Sequence, residues 1–184
     1  MDTITKEIET SKGYEKIERG GSMSRRAELL AARIEEGAAG LAAFVEGLSE
    51  AEWRTPMSSG KDRRPVGVIV HHVAFVYPIE VDLARAIGSG KAVTDVTWDV
   101  VAELNGKHAQ DQAGVTKAGA LELLRKNSRE AAAAVREFTD EQLDRAAPFS
   151  LSYGAPVTAQ FVIEDHAVRH SWHHLARIRA ALGK

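Results

Sequence analysis

The chain has 184 residues, with 24 Lys plus Arg against 26 Asp plus Glu, seven His and no Cys, which predicts one soluble globular domain. A net charge of −2 leaves no basic stripe for nucleic acid, and Pro and Gly interrupt the longest uncharged stretch, 146–163, so it does not predict a membrane span. The lack of Cys excludes disulfides, thiolate nucleophiles and Cys-based zinc sites, and leaves His, Asp and Glu for metal chemistry.

The first segment, residues 1–21, is polar and charged and shows no apolar periodicity. This composition predicts a flexible N-terminal extension in front of one domain over residues 22–184. The segment also lacks the apolar core that a secretory signal needs, so we expect the protein in the cytoplasm.

Apolar residues recur at intervals of three and four in four later segments, which is the period of an amphipathic helix. These segments cover residues 24–48, 65–87, 116–138 and 158–182. The second and third are separated by a long connection, 91–115, in which a short helix is predicted over 98–108. No run alternates with period two, so we expect a negligible sheet content. The pattern predicts an all-α protein, a four-helix bundle with a long crossover between helices 2 and 3.

Local signals mark several helix boundaries. In a capping box, the residue that precedes a helix and the residue three positions later each accept, with their side chain, a hydrogen bond from the other's backbone amide. The pattern occurs twice, at Ser49 with Glu52 and at Thr139 with Gln142. Pro78 lies inside the second long helix and predicts a kink there.

Helical phase sorts the histidines, because successive side chains lie about 100° apart around a helix. On the second long helix, His72 falls within roughly 60° of the apolar positions, at the centre of the buried stripe. His71 points away, toward the rim or solvent. On the fourth, His170 and His174 lie about 40° apart on the inward face.

Two His one helical turn apart, joined by a third from a facing helix, supply three nitrogen ligands for a divalent ion. The predicted metal ligands are therefore His72, His170 and His174. Burying three unpaired imidazoles in an apolar seam is otherwise costly. The alternative interpretation is a helical adaptor in which these are hydrogen-bonded core histidines without a metal.

Two motifs resemble those of the DinB-like (YfiT-like) metalloenzyme superfamily. The segment 68–74 (VIVHHVA) is similar to that family's second-helix His motif, and 170–178 (HSWHHLARI) is similar to its last-helix motif, in which two His precede an apolar tail. The resemblance spans about residues 24–182. It implies a bundle of up-down-down-up arrangement and a three-His site for zinc or nickel, formed here by the three histidines named above.

The superfamily includes transferases that use low-molecular-weight thiols and a thiol-dependent isomerase. The resemblance therefore implies a metal-dependent enzyme that transfers such a thiol to a small electrophile, the thiol supplying the nucleophile that a chain without Cys lacks. Metal-dependent hydrolysis is one alternative, and a non-catalytic, metal-stabilised bundle that acts as a binding protein is another. We expect a small-molecule substrate and no nucleic-acid or membrane partner; Trp172, which is out of phase with the His face, is compatible with a homodimer.

Other polar residues are weaker candidates. Glu80 is the best acidic candidate for a general base, although its angle of about 80° from His72 favours a salt bridge at the rim. Glu164 and Asp165 lie out of phase with the inward histidines. Several residues have both a functional interpretation and an ordinary one as loop, surface or packing residues. The functional interpretation is a place at the site mouth for His166, His173, Tyr153 and Trp172, a place over the site for Asn105 and His108, and attraction of an anionic substrate for Arg63 and Arg64.

Overall fold

The computed structural model describes residues 24–57 and 62–184. The extension predicted for residues 1–21 lies outside this part of the chain. In chain order, the helices and strands are α1 (Arg25–Glu46), α2 (Glu50–Trp53), α3 (Val66–Gly88), α4 (Trp98–Asp111), α5 (Lys117–Arg136), α6 (Asp140–Asp144), β1 (Ala146–Pro148), β2 (Pro156–Thr158), α7 (Ala159–Val162) and α8 (Arg169–Leu182).

Within the described ranges, the four long helices form the predicted bundle. Helix α5 packs between α1 and α3, and α8 closes the ring by packing against both, so that α1 and α3 lie on a diagonal. The all-α prediction and the up-down-down-up arrangement of the four long helices are confirmed. The site helices α3 and α8 are thus direct neighbours.

Side-chain caps explain where the long helices begin. The Ser24 hydroxyl accepts a hydrogen bond from the Ala27 amide at 3.0 Å, and the Thr116 hydroxyl accepts one from Gly119 at 3.2 Å. These contacts satisfy amides that have no partner within the first turn. Pro65 precedes α3, where its missing N–H removes no helical bond.

Both predicted capping boxes are confirmed. The Ser49 amide donates to the Glu52 carboxylate at 2.8 Å, and the Glu52 amide donates back to the Ser49 hydroxyl at 3.2 Å. The corresponding bonds between Thr139 and Gln142 measure 3.0 and 3.1 Å. Each box starts a short helix, α2 or α6, that follows a long one.

The crossover between α3 and α5 contains α4, which begins at the predicted residue and extends beyond the predicted end at residue 108 to Asp111. Only His108 among the residues of α4 is buried. The crossover is anchored at Val93, whose amide donates to the Pro148 carbonyl at 2.9 Å and whose carbonyl accepts from the Ser150 amide at 2.9 Å. Helix α4 therefore lies on the outside of the bundle and contributes little to its core.

The sheet content of the described residues is small, as expected, but the uncharged stretch 146–163 contains a hairpin. Strand β1 pairs with β2 in antiparallel register, with Ala147 opposite Val157. Strands this short show no readable alternation in sequence. Their pairing depends on the turn, where Tyr153 (φ 57°) and Gly154 (φ 81°) both adopt left-handed backbone.

The fourth long helix runs continuously from α7 to α8, close to the predicted limits of 158 and 182. Between the two, Ile163–Val168 form a π-helical segment. A π turn holds more residues than an α turn, so it shifts the angular positions of the residues before it relative to α8. The sequence did not predict this segment.

Helix α3 is the most apolar of the long helices. Of the described helices it alone is long and apolar enough, by length and composition, to cross a membrane, and 67% of that stretch is buried inside the fold. Its fully buried side chains include Ile69, Tyr77 and Ile87. The helix continues through Pro78, and the kink expected there stays a prediction.

Candidate metal centre

Three histidines from two helices converge at one point. Helix α3 supplies His72, and successive turns of α8 supply His170 and His174. The Nε2 atoms of His72 and His170 lie 3.2 Å apart, and one nitrogen of each residue lies within 4.8 Å of the other two. His72 and His174 are buried, and His170 is partly buried. The structure thus brings together the three residues that the sequence predicts as ligands.

This donor set fits a divalent transition-metal ion. Two nitrogens bound to tetrahedral zinc at about 2.0–2.1 Å lie roughly 3.4 Å from each other. The separation of 3.2 Å between the His72 and His170 nitrogens is close to that value. Imidazole suits zinc and nickel among the common ions.

Glu80 holds one of the three rings in place. It is only 5% exposed, and its carboxylate pairs with Nδ1 of His170. Because a carboxylate accepts hydrogen bonds, Nδ1 donates and the Nε2 lone pair of His170 is directed at the shared point. The expected rim salt bridge is therefore wrong: α8 packs over this flank of α3 and buries a position that α3 alone leaves at the edge.

Burial keeps the imidazoles in the form that binds metals. Desolvation, followed by the neighbouring His170, lowers the pKa of His72 to about 2. Desolvation also lowers the pKa of His174 far below its ordinary value. Both rings are consequently neutral at physiological pH, and no proton has to be displaced before a cation binds.

Several buried polar atoms at the centre have no hydrogen-bond partner among the described residues. They are Nδ1 of His72, Nδ1 of His174 and Oε2 of Glu80. An unsatisfied buried polar group costs about 1–3 kcal/mol. Such a cluster is unfavourable as plain core packing, so this part of the fold is not an ordinary core.

A cavity of about 450 Å³ opens onto the three histidines, a volume in the range of small-molecule sites. Side chains of α3 and α4 form an apolar wall with Val76, Ile79, Leu83, Val101 and Leu104. Polar and ionisable side chains form the remaining wall, including Arg64, Asn105, Asp165, His166, Arg169, His173 and Arg177. The positions expected for His166 and His173 at the mouth, and for Asn105 over the site, agree with this lining.

Asp165 is a residue that phase analysis missed. It lines the cavity, although uniform α-helical geometry places it out of phase with His170. The π-helical segment Ile163–Val168 accounts for the difference, because it rotates Asp165 toward the cavity. No sequence signal that we used marks a π turn.

His71 and His108 form a second pair beside the centre. Nδ1 of His71 lies 2.9 Å from Nε2 of His108, and the His108 ring packs edge-on against His72 at 5.7 Å. His71 is half-buried and does not belong to the three-His cluster, in agreement with its phase. His108 is buried, which its place in the crossover did not reveal, and it ties α4 to α3.

Two aromatic candidates lie away from the cavity. Tyr153 is 92% exposed at the hairpin turn and is not among the lining residues, so its expected place at the mouth is wrong. Trp172 packs on α1, as one interpretation predicted, since a Cβ added at Gly37 would lie 2.8 Å from the indole nitrogen.

Comparison with solved structures supports the fold. The structure titled "YfiT from Bacillus subtilis is a probable metal-dependent hydrolase with an unusual four-helix bundle topology" matches with a TM-score of 0.66 and 23% identity, over 89% of this chain and 91% of that one. A mycothiol-dependent maleylpyruvate isomerase matches with a TM-score of 0.61 and 14% identity, over 83% of this chain and 60% of the isomerase chain. No curated protein matches. The model of the DinB superfamily matches residues 33–178, and the chain therefore belongs to the DinB superfamily.

Proposed function

We propose that this protein is a metal-dependent enzyme that binds a divalent ion, zinc or nickel, through His72, His170 and His174. The proposal depends on one observation: three convergent imidazoles form part of the wall of a cavity of small-molecule size. Histidines that serve only packing would be expected to lie apart, whereas here one nitrogen of each ring converges with the other two beside open space.

The reaction we propose is transfer of a low-molecular-weight thiol to a small electrophile. A divalent ion held by three neutral nitrogens supplies a Lewis acid that lowers the pKa of a thiol beside it. The chain has no Cys, so the thiol must enter from solution. The apolar wall formed by α3 and α4 would hold the carbon skeleton of the electrophile, and Glu80 would keep His170 oriented as a positioning residue.

Hydrolysis is the second candidate. The carboxylates of Glu80 and Asp165 both line the cavity, and either is a group to which an attacking water can pass a proton. The solved YfiT structure is described as a probable metal-dependent hydrolase. The two reactions differ in one testable respect, since hydrolysis needs no thiol.

The proposal includes a small-molecule substrate and a place of action in the cytoplasm, and it assigns no nucleic-acid or membrane partner. A homodimer stays compatible with it. The non-catalytic alternative, a metal-stabilised bundle that only binds a ligand, differs from both reactions in showing no turnover.

The test compares protein stripped by a chelator with protein reloaded with zinc or nickel. Each form is assayed with a panel of small electrophiles, with and without a low-molecular-weight thiol. We expect consumption of the thiol and electrophile only in the reloaded form. Turnover without thiol would replace transfer by hydrolysis, and metal binding without turnover would favour the binding protein.

The matched variants are His174→Ala and His71→Ala. The first removes a proposed ligand, and the second removes a histidine adjacent in sequence to His72 but outside the cluster. We expect turnover to be lost only in the first. A preparation of untagged wild-type protein that takes up far less than one equivalent of either metal would contradict the proposal.

A further inference from the structure

Arg64 is held at the edge of the cavity by a fork of hydrogen bonds. Its Nε and Nη2 atoms donate to the two carboxylate oxygens of Asp62, each at 3.0 Å. The Arg64 backbone amide also donates to Asp62 at 3.1 Å. Although burial alone raises the pKa of Asp62, these bonds from Arg64 lower it below its ordinary value. These hydrogen bonds thus hold the guanidinium in one orientation.

One nitrogen of this guanidinium takes no part in the bonds to Asp62. Nη1 of Arg64 is buried and has no hydrogen-bond partner among the described residues, while the side chain as a whole is 21% exposed. Arg64 and His72 line the same cavity. Because a buried charged donor without an acceptor is unfavourable, this atom is suited to a ligand that brings an acceptor.

The geometry favours a carboxylate over a larger anion. Asp62 already occupies two nitrogens of the fork and also lies 3.4 Å from Nη2 of Arg177, so one nitrogen of Arg64 is available, which suits a single carboxylate oxygen. Farther along α3 than His72, the cavity has an apolar wall that includes Ile79, Leu83 and Leu104. The complementary ligand is a short carbon chain with a carboxylate at one end.

We propose that Arg64 recognises a carboxylate of the ligand whose reactive end faces the three histidines. The inference rests on the proposed function, because it takes the cavity as the substrate site. The carboxylate is carried by the electrophile or by the thiol, and both sources present the same group to Nη1. Arg64 is a binding residue in this scheme and takes no part in proton transfer.

The test measures binding to zinc-loaded protein by isothermal titration calorimetry. One arm compares pentanoate with pentanamide, which represent the carbon chain of an electrophile with and without one terminal carboxylate. The other compares N-acetylcysteine with N-acetylcysteine amide, which represent the thiol. Arg64→Gln is the test variant, and Arg63→Gln is the matched control because Arg63 is exposed and does not line the cavity.

We expect Arg64→Gln to weaken binding of pentanoate or N-acetylcysteine roughly tenfold to a hundredfold, which corresponds to loss of one charge-assisted hydrogen bond. The amides should bind equally to all forms, and Arg63→Gln should resemble wild type. The arm in which the loss occurs identifies the molecule that carries the carboxylate. Arg64→Lys, which keeps the charge but not the fork, should fall between wild type and Arg64→Gln.

Equal affinities of the Arg64 and Arg63 variants for both carboxylates would overturn the inference, as would wild-type protein that binds neither. Zinc content is measured first for each form. Loss of zinc from Arg64→Gln alone would assign Arg64 a structural role and also overturn the inference. Failure of the wild type to bind zinc would instead contradict the proposed function, so the two failures are distinct.

Discussion

The pair α1 and α5 buries aliphatic side chains almost throughout, with Ser128 as the polar exception. The pair α3 and α8, together with the crossover helix α4, buries His72, Glu80, His108, Ser171 and His174. Charged residues of the first pair lie outside the buried core, and some of them form ion pairs, such as Arg136 with Glu28 and Glu35.

This contrast separates stability from function. Both pairs belong to one bundle and have the same need for apolar packing, and the first pair shows that aliphatic side chains can meet it. Buried polar groups lower the stability of a core unless they are fully satisfied. Their concentration on one side therefore indicates a site, and the following predictions test whether the two sides can be perturbed separately.

The largest effect is expected from the proposed ligands. His170→Ala and His174→Ala should each abolish stoichiometric metal binding, because two nitrogens do not hold the ion as three do. His71→Ala should leave the metal content nearly unchanged. Elemental analysis of untagged protein measures this. Equal loss of metal in all three variants would show that the inward-facing positions of α3 and α8 do not form the metal site.

The next largest effect belongs to the other side of the bundle. Leu41→Ala empties a fully buried position of α1 and should lower the free energy of unfolding by about 2–5 kcal/mol. Leu29→Ala, at a position of the same helix that is 53% exposed, should change it by less than about 0.5 kcal/mol. Urea denaturation gives both values. Metal content should stay normal in both variants. Loss of metal in Leu41→Ala would show that the two sides of the bundle cannot be perturbed separately.

Glu80→Gln should weaken metal affinity by roughly tenfold to a hundredfold, because the amide no longer fixes the tautomer and orientation of His170 as the carboxylate does. Competition with a chromophoric chelator measures the dissociation constant. The matched change Asp82→Asn lies on the same helix, where Asp82 is 75% exposed, and should have no effect. An unchanged affinity in Glu80→Gln would remove Glu80 from the centre.

The smallest effect is expected at the surface network of Arg136. Hydrogen bonds from Arg136 lower the pKa of Glu28 and of Glu35 below the ordinary value of 4.5. Their contribution to stability is therefore present above pH 4.5 and is lost as the pH falls through the lowered pKa. In Arg136→Gln this part of the pH dependence of unfolding should vanish, and the difference from wild type should shrink in high salt. A larger loss than in Leu41→Ala would contradict the ranking.

Much of the candidate centre could be predicted from the sequence because the three histidines proposed as ligands lie within regular α-helix. His170 and His174 both follow the π-helical segment, so the angle between them is that of an undisturbed helix. His72 lies inside α3, past its first turn, where the apolar stripe defines the inward direction. The positions of other residues depend on a neighbouring element. Glu80 was wrongly expected at the rim, and for Arg64 the sequence left two interpretations open.

The sequence by itself determined the long helices, their caps and the inward direction of three histidines, because these follow from local hydrogen bonding and a fixed angular period. Only the tertiary structure decided that Glu80 is buried against His170, that His108 reaches His72 from the crossover, and that Asp165 turns into the cavity. Those positions are set by which helices pack together and by one π turn. The first is a long-range outcome of core packing, and no sequence signal that we used marks the second.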